Sequence, residues 1–543
     1  MGLLACLPLQ AEVTDFSAFE NVPVHSGGRS RSFYTFATES LQRIYGKAAY
    51  KNEEGKKVGA EAVILGLWTE PASWHARPIV LVSLKELKES VGLPADRKHF
   101  SLKELSENKA LVAKIDEVSG LLADPSKPKL DRVQTEVRDL ISRIELMHGL
   151  MTGKMFTIVP APQPEGSWVT PDEAATLYPG RGEKVAAETR ELLNAFRSGD
   201  NAAFAQAADK LAKTLASLSP QSYPLAGMMK LETHYGKLHP FSWSWKLLIA
   251  AGIILGLTSL KGRRAGYQLA WVLVSIAFLL QIYGFYCRVM IGGRGPVTNM
   301  YESVVWVGFG TILFAIILEA IYQSRLIFAA AIPVAVISLI IADTQSAVLN
   351  PGIDPLEAVL RNNFWLSTHV TSITLGYAAF LLALGVAHMV LFKELFRRPV
   401  SSALYNYLYR ALQIGVLLLA VGTILGAIWA NYSWGRFWDW DPKETWALIA
   451  LLGYIALLHG RIAGWWKGFG LAVGSIFGFM LVVMAWYGVN FVLGEGLHSY
   501  GFGTGGLQYA IAYVIAEVLF VAVVLLARGR RKAPEPEEEE AAA

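Results

Sequence analysis

Leu326-Ile-Phe-Ala-Ala-Ala-Ile-Pro-Val-Ala-Val-Ile-Ser-Leu-Ile-Ile-Ala342 is an unbroken run without a single charge. A segment apolar on every face has no side to turn toward water, and at close to the roughly 20 residues that cross a bilayer core it reads as a membrane span. Eight more segments of this kind surround it, at 244–260, 267–287, 302–322, 365–392, 408–430, 445–460, 467–490 and 507–527. The segment 445–460 is the shortest of them. Together they predict an all-α polytopic membrane bundle of about nine transmembrane helices spanning residues 243–527. Composition agrees: of 543 residues, 53% are hydrophobic, only 17% are charged, and 16 are tryptophan.

Basic residues recur in alternate connections, at Lys261–Arg264, Arg325, Lys393–Arg398, Arg461–Lys467 and Arg528–Lys532. The positive-inside rule makes that side cytoplasmic. Residues 1–242 and the connections 288–301, 343–364, 431–444 and 491–506 then fall outside.

Residues 12–242 are mostly polar, which predicts an exported, mainly α N-terminal soluble domain. Ser101–Met151 and Glu183–Leu218 carry apolar residues at helical spacing, Pro160–Gly182 reads as a loop between them, and Leu65–Val82 holds short β-prone runs. Gly28–Gly46 reads as a loop leading into an amphipathic helix. The isolated Trp68, Trp74, His75 and Trp168 are expected to be packing residues. Residues 1–11 look like the remnant of a signal or upstream helix without its basic leader, and Leu3–Cys6 weakly resembles a lipoprotein cleavage box. Residues 528–543 form a charged cytoplasmic tail.

Several function classes drop out. The formal net charge is only +4, with no basic arm, so nothing points to nucleic acid. Two distant cysteines, Cys6 and Cys287, form no CxxC, which excludes a thioredoxin-like dithiol and a self-attached c-type haem.

Chemistry concentrates in Trp434-Gly-Arg-Phe-Trp-Asp-Trp-Asp-Pro-Lys-Glu-Thr-Trp446. An interfacial aromatic belt is one reading. The tail has an ordinary reading too: Asp441 as N-cap, Pro442 at the first helical position and Glu444 at the third. Neither explains the tryptophans upstream of the cap, whose density suggests an apolar face for a planar aromatic ligand. Histidines supply what haem iron would need, since imidazole is a common axial ligand. His369 and His498 fall at the same membrane face as this stretch. His388 and His459 lie within spans near the opposite face, where ionisable side chains are costly, and suggest an inner haem site. A lone histidine is more often a hydrogen-bonded structural residue, and His459, beside Arg461, also suits the interface. Arg436 and Lys443 are read first as solvated loop charges, with haem propionates as the other option.

These residues carry a resemblance. Trp434–Trp446 resembles the tryptophan-rich WGxxWxWDxxExW signature of haem-handling membrane proteins. Gly295-Pro-Val-Thr-Asn-Met-Tyr-Glu302, Trp365-Leu-Ser-Thr-His369 and Asn490-Phe-Val-Leu-Gly-Glu-Gly-Leu-His-Ser-Tyr-Gly501 look like the CcsA (ResC) branch, in that family's order. The resemblance covers about residues 244–527. It implies a component of a system II cytochrome c synthase in a bacterial cytoplasmic (inner) membrane, working with a CcsB (ResB) partner on apocytochrome c. It also implies His369 and His498 as outer-face axial ligands of a transient, bis-His-ligated haem b. Trp434, Trp438, Trp440 and Asp441 would form the haem-binding surface, and His459 the intramembrane ligand. The second inner imidazole would come from the partner or from His388. Two other readings share the features: a haem exporter or chaperone without ligase activity, and a membrane electron carrier with permanent haems.

Overall fold

The computed structural model describes residues 13–529 except 53, 125–129, 260–263, 346–347, 357, 494–495 and 499–505. The leader-like stretch 1–11, most of the tail 528–543, most of the basic cluster 261–264 and part of the motif 490–501 lie outside the described residues. The chain divides into two compact units, Met1–Leu238 and His239–Ala543.

The N-terminal unit is mainly helical, with three two-stranded antiparallel ribbons: Pro23–Ser26 with Arg29–Ser32, Ala49–Lys51 with Lys57–Gly59, and Val80–Leu81 with His99–Phe100. Its core joins Phe19, Phe33, Phe36, Phe156 and Phe204, all fully buried or nearly so. The expected continuous pattern over Ser101–Met151 is three helices, Leu102–Glu107, Lys109–Ala123 and Arg132–Met151. Side chains break it: Ser101, Asn108 and Asp131 each accept a backbone N–H of the helix that follows. Glu183–Leu218 divides likewise, at Gly199 and the N-cap Asp200. Leu65–Thr69, read as β-prone, completes the helix Ala60–Thr69. That helix is buried nearly all round, so its apolar run reflects burial rather than a strand. The Pro160–Gly182 connection contains a short helix, Ala174–Leu177. Of the four isolated aromatics, Trp68 stacks on Phe156 and Trp74 and Trp168 are buried, whereas His75 is exposed.

Nine helices among the described residues are long and apolar enough to cross a membrane. The membrane helices are α1 (Pro240–Ser259), α2 (Arg264–Gly292), α3 (Met300–Tyr322), α4 (Leu326–Thr344), α5 (Thr371–Leu395), α6 (Ser402–Trp434), α7 (Pro442–Ile462), α8 (Gly468–Val483) and α9 (Leu507–Gly529). The short segment expected at 445–460 is a full span, because Pro442 starts the helix ahead of the apolar run. The bundle is organised around α5, which packs against α3, α4, α6, α8 and α9. Its helix is apolar on all sides and buried over most of its length, as the centre of a bundle requires. Small residues permit the close approach: a Cβ at Gly385 would meet the Ala330 carbonyl of α4 at 2.3 Å.

Candidate functional site

Two departures from regular helix shape one end of the bundle. The chain enters α5 through a π-helical turn, Leu366–Val370, and leaves α8 through a longer π-helical segment, Met484–Leu493. Such turns insert a residue into the helical ladder, re-aiming side chains and loosening carbonyls, and they recur at functional sites. Here the first carries His369 and the second carries Trp486 and Asn490. All three line a single, largely apolar cleft of about 1250 Å³, the space open at its mouth included. The start of α3, the end of α6, the start of α7 and His498 complete its walls.

The motif 295–302 builds the α3 wall. Asn299 caps α3 by accepting the Glu302 N–H at 2.8 Å. Glu302 accepts the Thr298 N–H at 2.8 Å and both Nε and Nη2 of Arg288 on α2, at 2.9 and 2.7 Å. Within a membrane span, a charged pair this deeply buried is tolerable because each lone pair has its donor. It fixes the segment Val297–Met300 against the cleft.

His369 sits where α5 meets α6. Its Nδ1 bonds the Gly422 carbonyl at 2.8 Å, and its ring stands edge-on to Trp429 at 5.7 Å. Donation from Nδ1 leaves the lone pair on Nε2, the tautomer suited to metal ligation. Gly426 makes room for the ring: a Cβ there would meet His369 Cε1 at 2.5 Å.

Asp441 does two things at once. As expected, it caps α7, accepting the Lys443 N–H at 2.9 Å with Pro442 in the first turn. It also accepts Nδ1 of His498 at 3.0 Å and the Leu497 N–H at 2.7 Å. Burial works to raise this carboxyl, but the His498 imidazole and the two backbone donors outweigh it and hold the pKa down to about 2. His498 is thereby given the same arrangement as His369, with Nδ1 on a protein oxygen. Glu444 does not close a capping box. It takes Arg436 Nη1 at 2.9 Å and the Asp439 N–H at 2.8 Å.

The tryptophans part company. Trp434, the last residue of α6, lines the cleft and meets His498 edge-on at 5.2 Å. Trp438 also lines it. Trp440 stands on a left-handed backbone (φ 56°), edge-on to Trp438 at 5.9 Å, and is 70% exposed. Trp446 lies along α7, outside the cleft lining. Trp429, Phe437, Trp486 and Tyr377 complete the aromatic walls; Phe437 belongs to the aromatic stretch read from the sequence, and the other three do not. Trp486 could have been found: it lies one helical turn ahead of the Asn490 that opens the fourth motif. Arg436 and Lys443 are not solvated loop charges. Arg436 is held by Glu444 and Asp439, and Lys443 faces the cleft.

The other two histidines lie elsewhere. His388 is about 28 Å along α5 from His369. Its Nδ1 bonds the Leu384 carbonyl and its Nε2 bonds Glu517 of α9 at 3.1 Å, so both ring nitrogens are engaged. His459, near the end of α7, is exposed, with Nδ1 on the Ile455 carbonyl at 2.8 Å. These two do not join the cleft.

Residues 297–498 match the family profile described as cytochrome C assembly protein. The chain is 35% identical over 288 residues to cytochrome c biogenesis protein CcsA of Prochlorococcus marinus (strain MIT 9301), covering 47% of this chain and 91% of that protein. It is 32% identical over 321 residues to CcsA of Pyropia yezoensis, covering 50% of this chain and 99% of that protein. Protein NrfI of Wolinella succinogenes is 27% identical over 507 residues. That match takes in 88% of this chain, more than the C-terminal unit alone can supply, and about half (53%) of NrfI. Nine membrane-spanning helices, the motifs in order and near-complete coverage of CcsA proteins lead to one conclusion: the chain belongs to the CcsA family of multi-pass membrane proteins of cytochrome c biogenesis.

Proposed function

We propose that this protein holds haem in the aromatic cleft between His369 and His498 and presents it for covalent attachment to the CxxCH of an apocytochrome c. One observation carries the reading. Two imidazoles from distant parts of the chain line the same apolar cleft, each with Nδ1 hydrogen-bonded to a protein oxygen, the arrangement that orients a ligating imidazole in metal sites. Among the described residues no group of three or more His, Cys, Asp or Glu forms a protein-only metal site. Two axial ligands suit an iron that a porphyrin already holds. Trp434 and Trp438 wall the substrate haem, Trp440 extends that surface outward, and Asp441 aims His498.

In the attachment step each cysteine S–H adds across a haem vinyl. A carbon–sulfur bond forms, the hydrogen passes to the other vinyl carbon, and no net oxidation occurs. This chain contributes positioning, which lowers the barrier by removing the freedom of two large reactants. The alternate basic connections support an outer-face cleft in a bacterial cytoplasmic membrane. His459, exposed near the other end, serves an inner site whose second imidazole comes from a CcsB-type partner, since both His388 nitrogens are already engaged. In this reading residues 12–242 form an exported domain.

Co-expression with a CcsB-type partner and an apocytochrome, in cells lacking their own maturation machinery, tests the reading. A covalent cytochrome is expected, and His369→Ala with His498→Ala should abolish the bound-haem spectrum. Haem that co-purifies without any covalent product would instead mark a chaperone or an electron carrier.

A further inference from the structure

We propose that Lys443 binds a carboxylate of the haem, a propionate, and so sets which edge of the porphyrin enters the cleft first. The inference rests on the cleft being the haem site and concerns the orientation of what it holds.

Lys443 is the second residue of α7 and lines the cleft. Its ammonium makes one long bond, 3.5 Å to the Trp486 carbonyl, an oxygen that also accepts Asn490 Nδ2 at 3.0 Å. Among the described residues it has no carboxylate within ion-pair distance. The nearby acids are committed elsewhere: Glu444 to Arg436 and the Asp439 N–H, Asp441 to His498 and two backbone N–H groups. Arg436, the neighbouring cation, is already matched by Glu444 and Asp439. Lysine at a membrane interface ordinarily snorkels, stretching its charge toward water. Lys443 instead presents its charge to an aromatic cavity, where an unmatched cation is costly unless an anion arrives. The ligand that suits the rest of the cleft is a flat apolar ring, and the groups on haem that supply anions are its two propionates. The position beside Trp486 would take one propionate edge and leave the opposite, vinyl-bearing edge turned away from Lys443.

The test uses the full chain, purified in detergent and freed of haem, titrated with haem b and with its dimethyl ester, which lacks the propionate charge. The native chain should favour haem b by roughly tenfold or more, the scale of one charge-assisted hydrogen bond. Lys443→Gln should erase that preference while binding the diester as the native chain does, and Lys443→Arg should keep most of it. Equal affinities in the native chain, or an undiminished preference in Lys443→Gln, overturns the proposal. An equal loss for both haems in Lys443→Gln also overturns it, because that pattern marks a structural residue. The cleft reading is judged separately: His369→Ala and His498→Ala should lose the six-coordinate spectrum with either haem, whatever Lys443 does.

Discussion

At the scale of single residues, Asp441 concentrates the most consequence. One carboxylate caps α7 and holds His498, 57 residues further on. Its capping role is legible in the sequence, because cap, proline and acid follow a local grammar. Its grip on His498 is not, since no local pattern predicts which distant loop meets a helix start. Replacement separates the roles. Asp441→Asn keeps a side-chain cap and should leave thermal stability nearly unchanged, yet weaken the tether and perturb the bound-haem spectrum. Asp441→Ala should lose both, with about 1 kcal/mol of stability for the cap. Gly496 gives an independent check on the same contact. Its φ of +92° already favours glycine, and a Cβ would meet Asp441 Oδ2 at 2.1 Å. Gly496→Ala is expected to imitate His498→Ala in haem spectra, while circular dichroism stays unchanged; normal spectra would show that the loop does not position the ligand.

Among elements, the nine apolar helices were plain in the sequence because hydropathy alone marks them, even where helix ends ran a few residues beyond the apolar runs. The π-helical turns were not, since hydropathy is blind to one inserted residue. Nor was the tie between α5 and α9, where His388 meets Glu517 and stacks on Phe520 at 5.4 Å. Hydrogen bonds between membrane helices average well under 2 kcal/mol. Glu517→Ala should therefore destabilise the chain in detergent modestly, by about 1 kcal/mol, and leave cleft haem untouched. Loss of the haem spectrum on His388→Ala would instead make that imidazole a ligand. In the N-terminal unit the helix Leu102–Glu107 is pinned by Glu104. Its two bonds from Arg97, at 2.9 and 3.0 Å, followed by those from Ser101, overcome burial and hold its pKa down to about 2. A carboxyl depressed by folding stabilises above its ordinary range and ceases to as pH falls through the lowered value. Protease cutting near 101–107 should rise between about pH 5 and pH 2 in the native chain, and Glu104→Gln should show little of that change.

For the whole molecule, the division into two units has a functional counterpart. CcsA relatives are covered almost end to end by about half of this chain, while the NrfI match reaches well into the N-terminal unit. Among the described residues, the cleft lining lies between Val297 and His498. Residues 239–543 expressed alone should therefore insert in membranes and bind haem through His369 and His498; failure to bind would give the N-terminal unit a part in building the site. What the sequence could say about that unit stopped at its helical character. Its aromatics are core residues, such as Trp68 on Phe156, and a packed core carries no signature of a partner.

The two imidazoles are mounted very differently. His369 is embedded in a helical turn and bonded to the backbone of the neighbouring helix, whereas His498 rides on an interhelical connection and bonds a side-chain oxygen of Asp441. They make a vice with one fixed jaw and one sliding jaw. In the proposed function, the jaw that yields when an incoming CxxCH brings its own histidine is the sliding one, which gives hand-over a direction. On that proposal product leaves from the His498 side, while the fixed jaw keeps the haem from slipping back.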